Sequence, residues 1–181
     1  MSFLLIAFAG IYFLFVLAFI VGLFRLRPVE SATNNIRVSV VVAARNEAEH
    51  LPAFLDSLIR QDYPAELVEI IVADDRSDDQ TPRILDSYAQ RYPHIHPLRI
   101  DHMVQAMTPK KYALTRGIER STGSIILATD ADCEAPEGWI KSMVSALTSN
   151  PRPGIVVGFS RMDIPNRTLV EQYQRVDFLA V

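Results

Sequence analysis

The chain has 181 residues, 49% of them hydrophobic, with a net charge of -3 and a single cysteine. High apolar content with low net charge excludes a disordered chain, and one unpaired cysteine excludes a disulfide scaffold. The mild acidity argues against nucleic acid as a partner, which calls for a basic face.

No Asp, Glu, Lys, Arg or His precedes Arg25, so every charged group lies in the remainder, about one globular domain in length. Residues 3–24 are an uninterrupted apolar run in which Tyr12 alone has a polar tip. As a helix it would reach roughly 33 Å, enough for a hydrocarbon core of about 30 Å, and the expectation is one transmembrane helix. A cleaved signal peptide is the rival reading, but it calls for a basic start and a shorter apolar stretch. Arg25 and Arg27 follow the run, which puts the C-terminal part in the cytosol. The lone Cys133 suits that reducing compartment. Residues 25–36 read as a linker and residues 37–181 as the globular part.

Residues 37–44 (RVSVVVAA) are a short β-branched run of the kind that makes a buried strand. Helical spacing of Leu51, Phe54, Leu55, Leu58 and Ile59 predicts a helix over 47–61, with Asn46 as its N-cap. A second strand follows over 67–73, then a polar loop over 74–80 and a helix opened by Thr81-Pro82. Residues 94–100 form a poorer strand containing Pro97. Residues 110–120 read as a helix with Ala113, Leu114, Gly117 and Ile118 on one side. Strands are expected over 124–129 and 155–160. Helices are expected over 137–149, with Trp139, Ile140, Met143, Val144 and Leu147 inward, and from 168 to 181. Strands alternating with helices imply an α/β fold, a mostly parallel sheet with helices on both faces.

In open parallel sheets ligands bind beyond the carboxyl ends of the strands. Three such ends carry acids here: Glu47, then Asp74 and Asp75, then Asp130 and Asp132. One Asp per end is explained by helix capping, and Asp78 or Asp79 fits that role. Paired like charges repel unless a cation or donor sits between them, which capping leaves unexplained. Asp130-x-Asp132 after a buried strand is a hard-oxygen donor pair suited to Mg²⁺ or Mn²⁺ together with substrate phosphates.

Four segments in order, VSVVVAARNE (38–47), IIVADDRSDDQT (70–81), KKYALTRGI (110–118) and ILATDADCEAPEGWI (126–140), resemble family 2 glycosyltransferases of the GT-A fold. The resemblance implies a Rossmann-like GT-A sheet and a nucleotide-sugar donor, UDP-linked in expectation. It also implies a divalent metal and a glycan or lipid acceptor at the membrane. By the same resemblance Ala43, Ala44 and Glu47 line the base pocket, and Asp74 and Asp75 read uracil and ribose. Lys110 lies near the diphosphate, with Lys111 as the alternative register. Asp130 faces the ribose side and the metal, and Asp132 the metal. The family's catalytic base lies in an acidic motif after the D-x-D. Here Glu134, Glu137, Asp163, Glu171 and Asp177 follow, none in such a motif, so the base stays unassigned and the chain reads as C-terminally truncated. Two other readings stand beside this one. One is a catalytically incomplete, nucleotide-binding remnant. The other is a haloacid-dehalogenase-type phosphatase with Asp130 as nucleophile. Cys133 reads as a packed small residue, and Trp139 as core or as an acceptor-stacking platform.

Overall fold

The β-branched runs become strands and the amphipathic stretches between them become helices. The computed structural model describes residues 2–24, 35–102, 107–149, 154–158 and 160, with first-helix side chains described from Ile6 to Gly22. The chain divides into two compact units, Met1–Glu30 and Ser31–Val181.

The first unit holds α1 (Ser2–Phe24). Its described side chains are mostly exposed, Phe8 to 78% and Ile6 to 71%. Among the described residues no helix is long and apolar enough to cross a membrane. The transmembrane helix expected over 3–24 is corrected accordingly.

The second unit contains β1 (Val38–Ala44), α2 (Leu51–Ile59), a single 3₁₀ turn (Ala65–Leu67), β2 (Val68–Asp75), α3 (Thr81–Arg91), β3 (Ile95–Ile100), α4 (Pro109–Arg120), β4 (Ile125–Asp130) and α5 (Trp139–Thr148). The four strands form one parallel sheet in the order β3-β2-β1-β4. Parallel strands require crossover connections, and these place helices on both faces. On one face Val38, Val40, Val42, Ile70, Val72 and Leu127 pack with Leu51, Phe54 and Leu55 of α2, Leu85 of α3, and Ile140 and Val144 of α5. On the other, Ala73 and Ile100 pack with Ala113 of α4. A Cβ added at Gly117 would collide with Val41, so glycine there lets α4 approach the sheet closely.

Several expectations shift by a few residues, for local reasons. Asn46 does not cap α2: it adopts a left-handed backbone, φ 57°, and its side-chain oxygen accepts from the Asp78 N–H at 2.9 Å. Residues 47–50 form a turn instead, and α2 starts at Leu51 after His50. Ile118 is 44% exposed rather than inward, because Ala113 and Gly117 already fill the α4 contact. Pro97 is accommodated because β3 is an edge strand with a ladder on one side only. Residues 154–158 are not a strand: Ile155 is 93% and Val157 87% exposed, with no ladder partner among the described residues. The expected helix over 168–181 and most of the 25–36 linker lie outside the described residues.

At the amino ends of the strands Glu69 clamps the β4 entrance. Its Oε1 accepts from the Ser39 hydroxyl, from the Thr122 N–H and hydroxyl, and from the Gly123 N–H at 3.1 Å. Burial pushes this carboxyl up, but the donated hydrogen bonds from Ser39, Thr122 and Gly123 outweigh it and hold it below the ordinary carboxylate range. Charged Glu69 therefore stabilises the fold at neutral pH, and the contribution is lost as pH falls from the ordinary carboxylate range through the lowered folded value. Glu69→Gln is expected to be less stable than wild type at pH 7, with the gap closing in acid, as read by urea unfolding across pH. A gap independent of pH would contradict this. Gly123→Ala is expected to cost about 1–3 kcal/mol in the same assay, since the added Cβ would lie 2.5 Å from the Ser39 backbone nitrogen.

Candidate functional site

Strand order reverses direction at β1, with β2 and β3 to one side and β4 to the other. The crevice beyond the carboxyl ends at such a point is where open α/β sheets bind ligands. A cavity of about 250 Å³ opens there, lined by Ala43, Ala44, Arg45, Glu47, Asp75, Pro109, Lys110, Asp130, Ala131 and Asp132. Seven of the eight site residues expected from sequence, all but Asp74, are in that lining.

Side-chain alternation along a strand explains the exception. Asp74 and Asp75 are 3% and 4% exposed, and as neighbours in β2 they face opposite sides of the sheet. Asp75 turns to the cavity on the α4 side. Asp74 turns to the α3 side, where its Oδ2 accepts from Arg99 Nη1 at 2.6 Å and its Oδ1 from the Ser77 N–H at 3.2 Å. Arg99 stands opposite Asp74 in the β2–β3 register and also donates to Asp86 and the Pro82 carbonyl, both at 2.8 Å. Asp74 thus has partners for both carboxylate oxygens within the fold, and Asp75 is the one that lines the cavity.

Two arginines absent from the expected site hold Asp75. Arg76 donates to it bidentately, Nε to Oδ1 at 2.9 Å and Nη2 to Oδ2 at 3.2 Å. Arg45 Nη1 lies 3.8 Å from Oδ2. Arg76 does so from a left-handed backbone, φ 57°, which is strained for a residue of this kind. The loops after β1 and β2 fix both arginines by cross-stitching. The Asn46 N–H donates to Ser77 Oγ at 2.9 Å, the Glu47 N–H to Thr81 Oγ1 at 2.8 Å and the Ala48 N–H to Asp79 Oδ2 at 3.1 Å. Asp79 also accepts from the Thr81 N–H at 2.8 Å at the start of α3. The Thr81 hydroxyl, ahead of these backbone donors, holds the Asp79 carboxyl below its usual range. The N-cap position of α3 is Gln80, so Asp79 braces the turn before the helix and does not occupy the cap position itself.

The opposite wall comes from α4 and β4. Ala43 is in register with Asp130, and Lys110, in the first turn of α4, brings its Nζ to 2.7 Å from Asp130 Oδ1. The Asp130 carboxylate raises the Lys110 ammonium above its ordinary range, burial opposes this, and the charge of Asp132 adds to it. Burial, and then Asp132 beside it, push the Cys133 thiol up, so Cys133 stays a neutral neighbour. The loop after Asp132 is held by α2. Gln61 Nε2 donates to the Pro136 carbonyl at 2.8 Å, its Oε1 accepts from the Ile140 N–H at 3.0 Å, and the Ala135 N–H donates to Ser57 Oγ at 3.0 Å. Trp139 packs against the main core.

Asp130 and Asp132 supply hard carboxylate oxygens that fit Mg²⁺ or Mn²⁺. Among the described residues no group of three or more His, Cys, Asp or Glu side chains could hold a metal ion. Mg²⁺ commonly takes one or two carboxylates together with substrate phosphates, an arrangement that a carboxylate pair fits.

Residues 39–178 match the family described as Glycosyl transferase family 2. Glycosyltransferase AglE of Haloferax volcanii is 31% identical over 137 residues, covering 75% of this chain and 43% of the relative. Beta-monoglucosyldiacylglycerol synthase of Synechocystis is 32% identical over 113 residues, covering 62% of this chain and 23% of the relative. The chain thus spans less than half the length of these relatives. Among solved structures, the mannosyltransferase PcManGT of Pyrobaculum calidifontis, in complex with GDP-Man and Mn²⁺, superposes with a TM-score of 0.56 at 29% identity, over 69% of this chain and 36% of that one.

Asp74 and Asp130 are expected to separate by experiment. Asp74→Ala removes the buried partner of Arg99 and the acceptor of the Ser77 N–H, and should cost about 1–3 kcal/mol of stability. Asp130→Ala, at a half-exposed site, should cost less than about 0.5 kcal/mol. Thermal unfolding of both variants checks this, and equal losses would contradict the division of roles.

Proposed function

The chain belongs to glycosyl transferase family 2, and on that premise we propose that it is the donor-binding part of an enzyme that transfers a sugar from a nucleoside diphosphate to an acceptor at a membrane. The observation that carries this reading is the convergence of Asp75, Lys110, Asp130 and Asp132 on one cavity at the reversal point of the sheet.

Departure of a nucleoside diphosphate leaves added negative charge on the phosphates. Lys110 offers a point positive charge there, which stabilises what develops in the transition state. A divalent ion held by Asp130 and Asp132 would supply Lewis-acid stabilisation of the same charge. Asp75, nearly buried, is an acceptor for hydroxyl or N–H donors of the nucleoside. Ala43 and Ala44, small residues at the end of β1, leave room for a flat group beside it. No residue is assigned as the base for the acceptor hydroxyl.

The motif resemblance favours UDP as the nucleotide, whereas the Pyrobaculum neighbour carries GDP-Man. A lipid acceptor is suggested by the Synechocystis relative, which is named for a glucosyldiacylglycerol product. We propose membrane attachment through α1, whose described side chains expose Ile6, Phe8, Ile11, Phe13, Phe15 and Phe19.

Calorimetry with Mn²⁺ and either UDP or GDP is expected to show binding that weakens about tenfold or more in Asp75→Asn and in Asp130→Asn. Unchanged affinity in both variants would sink the site reading. Liposome flotation of the full chain, compared with a chain lacking residues 1–24, checks the attachment. Equal flotation of the two would remove it.

A further inference from the structure

Asp130, one of the two carboxylates suited to a divalent ion, already holds a cation from the chain itself. Lys110 Nζ lies 2.7 Å from Asp130 Oδ1, and both side chains are more than half exposed, 61% and 54%. An ammonium at that distance occupies one of the two Asp130 carboxylate oxygens, and a second cation brought to the same carboxylate would be repelled by it. Lys110 is anchored at the start of α4 and lines the cavity, and its four-carbon stem is flexible. Leaving Asp130 for the phosphates of a donor needs only side-chain rotation.

We propose that Lys110 is an exchangeable counter-ion: it occupies Asp130 before the metal does, and hands that carboxylate to the metal when a nucleoside diphosphate gives its ammonium a second anion. The proposal rests on the donor-site reading above and adds to it the coupling between metal and nucleotide. Before loading, Lys110 neutralises Asp130 and keeps the Asp130 and Asp132 carboxylates from repelling one another. After loading, the metal takes over that neutralisation and Lys110 faces the diphosphate. Metal alone must displace Lys110 without compensation, whereas metal with nucleotide displaces it towards a new partner. The two ligands therefore bind with positive coupling, and Lys110 is the positioning residue that produces it.

The coupling has a signature of opposite signs. In Lys110→Ala the competitor is gone, so Mn²⁺ alone should bind tighter, by about two- to fivefold, the range an exposed ion pair is worth. The same variant should bind UDP or GDP in the presence of Mn²⁺ about tenfold more weakly, having lost a charge-assisted contact. The experiment uses the full chain in detergent, with bound Mn²⁺ read from the loss of the free-ion paramagnetic resonance signal and nucleotide binding read by calorimetry. Lys111→Ala removes the same charge one residue away and should change neither affinity. Circular dichroism confirms that both variants are folded. A Lys110→Ala variant whose affinity for Mn²⁺ alone is unchanged, weaker or below detection overturns the exchange, even if its nucleotide binding falls. A matching gain in Lys111→Ala also overturns it, because bulk charge would then suffice. If wild type binds neither UDP nor GDP with Mn²⁺, the donor-site reading fails first and the exchange falls with it.

Discussion

Adjacent residues of a strand cannot share a face, and the site depends on that constraint at the end of β2. Asp74 and Asp75 are both almost fully buried, and two carboxylates on one side would repel at close range. Alternation sends them apart. Asp74 meets Arg99 across the β2–β3 register, and that ion pair fixes the edge strand to the sheet and the β2 end to α3. Asp75, freed from that duty, is held by arginine side chains from the two strand-end loops. The acid of the stabilising pair and the cavity-facing acid are thus consecutive residues with separate partners.

The rest of the rim follows from where the central strand lies. β1 pairs with both β2 and β4, so Ala43 and Ala44 have Asp130 on one flank and Asp74-Asp75 on the other. α4 covers the same side as Asp75 and brings Lys110 across to Asp130. The loop beyond Asp132 is tied to the end of α2 by Gln61 and Ser57. The acid-rich edge is therefore mounted on rigid elements, which favours a site that is largely formed before a ligand arrives.

Much of this was legible in the residues. The β-branched runs and the spacing of Leu51, Phe54, Leu55 and Leu58 announced buried strands and a covering helix, because burial on a sheet face imposes those periods. Asp130 and Asp132 stood out at the end of a buried strand, and Lys110 came from the motif resemblance. The sidedness of Asp74 was not, since it depends on which helix covers which face and on a partner, Arg99, twenty-five residues away on an edge strand. Asn46 looked like a cap because its type suits one; its left-handed backbone made it a brace for the neighbouring loop instead. Residues 155–160 have strand composition, yet composition cannot supply a neighbour to pair with. Arg45 escaped notice because its contact is made with a different strand end.

Arg76 carries a further consequence. Its left-handed backbone is a conformation that glycine or asparagine would hold with less strain, and its guanidinium covers both oxygens of the acid that faces the ligand. Selection for thermal robustness alone would thus be drawn to replace this side chain, and the carboxylate beneath would then lie open to water. The position is a point where durability and recognition pull in opposite directions. An engineer hardening this fold by consensus or screening should hold it fixed.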